Sequence, residues 1–113
     1  MERASLLKEV TFKENGPAIQ VLFDTPFTKE IRIAMRKGQL MKEHQTPYPI
    51  VVEIVDGNID FAVSGEAMHL ERGDLIALEG AVPHSLTALA DSIVRLTLTK
   101  ADEASRVKKV VSE

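Results

Sequence analysis

A chain of 113 residues can bury a hydrophobic core as one domain, residues 1–113, and the lack of cysteine excludes disulfide stapling, thiolate metal ligation and cysteine nucleophiles. Lys plus Arg number 14 against 17 Asp plus Glu, a net charge of -3, which leaves no basic footprint for nucleic acid or an anionic membrane. One Tyr, four Phe and no Trp are too few rings for a base- or sugar-stacking platform.

From the N-terminus, Met1-Glu2-Arg3-Ala4-Ser5-Leu6-Leu7 lacks an apolar core of signal-peptide length, and no later run approaches a membrane span. A cytoplasmic location without membrane partners is therefore the expectation. Residues 1–8 suit a short helical turn, or residues 9–12 an extra edge strand. Segments rich in Val, Ile, Leu and Thr then recur at 18–23, 31–36, 50–55, 59–63, 75–78, 85–89 and 93–99. Turn residues fall between them: Asp24-Thr25-Pro26, Lys37-Gly38, Asp56-Gly57-Asn58, Ser64-Gly65, Arg72-Gly73-Asp74, Glu79-Gly80 and Ala90-Asp91. Short strands at this spacing predict an all-β sandwich or barrel, not βαβ units.

Asp56-Gly57 is the strongest candidate for a type I′ hairpin, and Ser64-Gly65 makes a weaker case for the next reversal. Together they predict a meander through 50–55, 59–63 and 67–70. Strict alternation over 93–99 puts Val94, Leu96 and Leu98 on one face and Ile93, Arg95, Thr97 and Thr99 on the other. Residues 101–111 carry Val107, Val110 and Val111 at near-helical spacing, which fits a short docked helix or a frayed tail.

Two segments carry chemistry. Residues 38–50 hold His44 and residues 73–85 hold His84, each several residues beyond a glycine turn. Imidazole ligates iron, nickel, copper or zinc and exchanges protons near neutral pH. Only the fold can bring two such distant residues together. His69, in an alternating strand, reads as a surface or interface residue.

These segments resemble the two motifs of the cupin family over residues 31–99. The first family motif is Gly, five residues, His, one residue, His, three or four residues, Glu, six residues, Gly; here Gly38, His44 and Gly57 match, with Thr46 at the second His position and Ile50 at the Glu position. The second is Gly, five residues, Pro, one residue, Gly, two residues, His, three residues, Asn; here Gly73 and His84 match, with Glu79, Ala81 and Ala88 at the remaining positions. The resemblance implies a double-stranded β-helix, or jelly-roll barrel. It also implies a divalent-metal site (iron, manganese, nickel, copper or zinc) from which this chain retains His44 and His84.

Strand parity limits what can complete that site. Glu53 is out of phase with Ile50, Gln45 with His44, and Met41 and Glu43 also have the wrong parity on a regular strand, whereas Thr46 is in phase. Ile50, Val52 and Leu86 are expected to line an apolar pocket, with Arg36, Arg32 or Arg95 as a positive charge for a carboxylate and Tyr48, between Pro47 and Pro49, as a lid or rim. Two functions follow: a binding module for a small molecule with a weak two-histidine metal site or none, or a metal-assisted oxygenase, isomerase or lyase. A purely structural barrel would give no reason for His44 and His84 at motif positions. Apolar residues on both faces of 50–55 further predict a homodimer.

Overall fold

The computed structural model describes residues 1–100; the expectation for the C-terminal tail lies outside them. The alternating segments form nine strands among the described residues: β1 (Ala18–Asp24), β2 (Thr28–Met35), β3 (Leu40–His44), β4 (Ile50–Asp56), β5 (Asn58–Val63), β6 (Glu66–Glu71), β7 (Leu75–Leu78), β8 (His84–Ala88) and β9 (Ser92–Thr99). They pair antiparallel in two sheets of order β1-β2-β9-β4-β7 and β3-β8-β5-β6. This is the expected all-β jelly roll. No helix among the described residues is long and apolar enough to cross a membrane.

The core lies between the sheets and follows from the period of two along each strand. Val94 and Leu96 of β9, Val52 and Ile54 of β4, and Ile31 and Ile33 of β2 point inward from the larger sheet. Ile59 and Phe61 of β5 and Leu86 and Ala88 of β8 meet them from the smaller one. Burial of a large aliphatic or aromatic side chain stabilises by about 1.5–3 kcal/mol, so this shared layer holds the two sheets together.

Two turn assignments change. The segments 50–55 and 59–63 do not form a hairpin, because β4 and β5 belong to different sheets. Asp56-Gly57 instead carries the chain across the barrel. Gly57 sits at φ 98°, and a Cβ there would overlap Ser92 Oγ and stand 2.7 Å from the Asp91 carbonyl oxygen. Glycine is required by this close approach, not by a two-residue hairpin. The type I′ geometry falls at the weaker candidate: Ser64 and Gly65 both have positive φ, 50° and 83°, between the paired residues Val63 and Glu66. Only the second half of the predicted meander therefore forms.

The N-terminal expectation also changes, since residues 1–17 contain neither helix nor strand. Arg32 explains why. It points to the outer side of β2, is 3% exposed, and donates to the carbonyls of Ser5, Leu6, Lys8 and Glu9 and to Gln20 Oε1. Carbonyls gathered around one guanidinium are spent on it instead of on a helix or a strand ladder.

Candidate functional site

β3 was not foreseen as a strand, yet it positions the first histidine. Its pairing with β8 runs Leu40 opposite Thr87, Met41 opposite Leu86 and His44 opposite His84, with a bulge between Met41 and His44. Two residues of β3 there oppose one of β8, which resets the parity. Met41 and His44 consequently face the barrel together, and the parity argument against Met41 fails for that reason.

His44 and His84 are thus direct cross-strand neighbours, with ring centroids 4.2 Å apart at 61°. His84 is 2% exposed and its ring is nearly parallel to that of Phe61, 5.7 Å between centroids. Each ring is oriented by its own strand: His44 Nδ1 lies 2.8 Å from the Lys42 carbonyl oxygen and His84 Nδ1 3.0 Å from that of Val82. A carbonyl can only accept, so each Nδ1 carries the hydrogen, and the tautomer this selects has its lone pair on Nε2. Burial holds the His84 pKa below its ordinary value; the Val82 carbonyl opposes this and the His44 ring adds to it. His84 is accordingly neutral at pH 7.

The loops beside the pair lock onto each other. The Ala81 N–H donates to the Thr46 carbonyl at 2.7 Å, and a Cβ on Gly80 would overlap the Pro47 carbonyl oxygen. Ala81, which occupies a glycine position of the motif, has φ 63°.

The other expected residues are placed as follows. Thr46 donates its hydroxyl to the Tyr48 carbonyl at 3.1 Å, so it closes its own turn. Ile50, Val52 and Leu86 are 2%, 2% and 3% exposed and belong to the packed core. Arg36 is on the surface, 3.1 Å from Asp91 Oδ2 and over the Phe12 ring at 4.3 Å. Arg95 lies on the outer face of its sheet, 2.8 Å from Glu30 and 3.5 Å from Glu53; chiefly the Glu30 hydrogen bond raises its pKa. Arg32 holds the N-terminal segment. The expectation that a guanidinium faces the site is therefore not met, because each of the three is directed to a partner outside the barrel. Tyr48 is exposed at the rim, where with Thr46, Pro47, Leu98 and Lys29 it borders a cavity of about 210 Å³, so Thr46 does line a pocket as expected.

Lys29 escaped sequence reading because β2 was expected to begin at Ile31. Extending the alternation of Ile31 and Ile33 back by two residues would have put Lys29 on the inward face, opposite Leu98.

Two imidazoles with lone pairs on Nε2 suit a first-row divalent ion, whose bonds to imidazole are about 2.0–2.1 Å for zinc. Among the described residues, no group of three or more His, Asp or Glu side chains could hold a metal. Ile50 at the motif's carboxylate position is core, and Thr46 at its second histidine position is turned to its own loop.

No family model matches the chain, and no curated protein matches it. Solved structures do. An RmlC-like cupin protein from Desulfovibrio desulfuricans is 20% identical with a TM-score of 0.81, over 88% of this chain and 96% of that one. KdgF from Halomonas sp. is 21% identical with a TM-score of 0.73, over 86% and 95%. A conserved protein with a double-stranded β-helix domain from Klebsiella pneumoniae is 16% identical with a TM-score of 0.77, over 86% and 87%. At such identities the likeness speaks for fold alone. Strand order, motif glycines and these similar structures agree: the chain has a cupin-type, RmlC-like jelly-roll fold with an incomplete motif for metal ligation.

Proposed function

We propose that the protein binds a small molecule through its barrel and holds a divalent metal weakly on His44 and His84. The observation that carries this reading is the cross-strand imidazole pair, whose backbone hydrogen bonds leave both Nε2 lone pairs available. A bound ion would act as a Lewis acid toward an oxygen of the ligand. With two protein ligands, its remaining positions fall to water or to a chelating molecule, so affinity depends on that partner.

Binding is favoured over oxygenase, isomerase or lyase chemistry by the donor set: two imidazoles, with no carboxylate completing a cluster among the described residues. A homodimer is part of the same proposal. Val51 and Leu75, 38% and 66% exposed, lie on the outer face of the larger sheet, where a second copy would cover them. Metal analysis of protein purified without added metal, repeated on His44→Ala and His84→Ala, tests the site; sedimentation tests the dimer.

A further inference from the structure

At the barrel end that carries His44, Lys29 of β2, Leu98 of β9 and Ile50 of β4 form one cross-sheet row on the inward face. Ile50 is sealed in the core. Leu98 and Lys29, with Pro47, Tyr48 and Lys100, border the cavity of about 210 Å³, whose walls are almost entirely apolar atoms. An enclosed apolar cavity of about 150 Å³ holds one benzene, so this space takes a six-membered ring with a small substituent and nothing much larger.

The two lysines at its edge differ. Lys100 donates to the Asp24 carboxylate and the Thr25 carbonyl, and is committed. Asp24 is the cross-strand partner of Lys29, but its ion pair is with Lys100; Lys29 has no ion pair among the described residues. A long side chain whose stem lies along apolar surface carries its charge to the rim. Lys29 acts on Asp24 through space without pairing with it, and an apolar recess with such an ammonium at its mouth complements a compact ring that bears an anionic group.

We infer that this recess is the ligand site and that it takes a small aromatic or alicyclic carboxylate, with the ring against Pro47, Tyr48 and Leu98 and the carboxylate on Lys29. The inference rests on the small-molecule reading above but not on the metal.

Benzoate and its neutral isostere benzamide, titrated into the full chain and followed through the Leu98 methyl and Tyr48 ring resonances, test it. Benzoate is expected to shift these resonances and to bind about tenfold more tightly than benzamide, the low end of what a charge-assisted hydrogen bond contributes. Lys29→Met should bring benzoate to the level of benzamide and leave benzamide unchanged; Tyr48→Ala should weaken both. Equal binding of the two compounds, or benzoate binding that Lys29→Met leaves at its full strength, overturns the inference. Benzoate binding lost in the histidine variants but kept in Lys29→Met would also overturn it while leaving the histidine site standing, and metal binding without any response to benzoate would do the same.

Discussion

Replacing Gly57 with alanine should damage the barrel far more than the same change at Gly38, although both have φ above 90° or close to it, 98° and 90°. At either position alanine bears about 1–2 kcal/mol for entering the left-handed region. Gly38 has nothing within 4 Å of an added Cβ, whereas at Gly57 that atom overlaps Ser92 Oγ and crowds the Asp91 carbonyl and Ser92 Cα, each at 2.7 Å. Ser92 is 1% exposed and cannot retreat into solvent. Its hydroxyl also accepts the Asn58 N–H at 3.1 Å and donates to the Ala90 carbonyl at 2.7 Å. Displacing a packed group costs about 1–3 kcal/mol, and losing the Asn58 bond adds about 1 kcal/mol. Gly57→Ala is thus expected to cost about 3–6 kcal/mol against about 1–2 for Gly38→Ala. In a domain of this size that places the Gly57 variant on the order of 15–25 °C below the parent in thermal unfolding. Circular dichroism melts of the two variants decide it. Equal losses would mean that backbone conformation alone fixes Gly57, and that β4 and β5 are not held apart by contact with the β9 approach.

The depressed pKa of His84 makes stability depend on pH. The unfolded ring, near 6.5, takes up its proton before the folded one, so the contribution is complete above about pH 6.5 and is lost as pH falls through the folded value. Urea melts across that window should show falling stability, and His84→Gln should flatten this part of the profile; an unchanged slope would contradict a buried neutral ring. Ala81→Gly should raise stability by about 0.5–1 kcal/mol, the gain from relieving φ 63° less the added entropy of the unfolded chain. Thermal melts measure it, and a loss would show that the Ala81 conformation carries no strain.

The alternation from Ile93 to Thr99 was sufficient to orient β9, because a strand buried on one side declares its inward face every second residue. Asp56-Gly57 was misleading for a physical reason. Turn chemistry reports that the chain reverses, not which strand it meets next, and the approach of Gly57 to Ser92 exists only once the sheets are packed. The His44–His84 meeting was legible through motif resemblance alone; the bulge that completes it has no glycine to mark it. Met41 was misjudged by that same bulge. Lys29 was overlooked because Thr28-Lys29-Glu30 reads as polar, although Glu30 turns outward to Arg95 and Thr97 while Lys29 keeps the phase of Ile31. The Arg36, Arg95 and Arg32 expectations failed because each found carboxylates or carbonyls outside the barrel, which no spacing along the chain reveals.

The imidazole pair is most directly tested by titrating iron, manganese, nickel, copper and zinc into the chelator-stripped full chain, with bound metal counted per chain and the histidine Nε2 resonances followed. Weak binding of one ion per chain is expected for at least one metal, with perturbation of both Nε2 atoms and loss of that binding in His44→Ala and in His84→Ala. No uptake of any of the five, or uptake that persists in both variants, would contradict it.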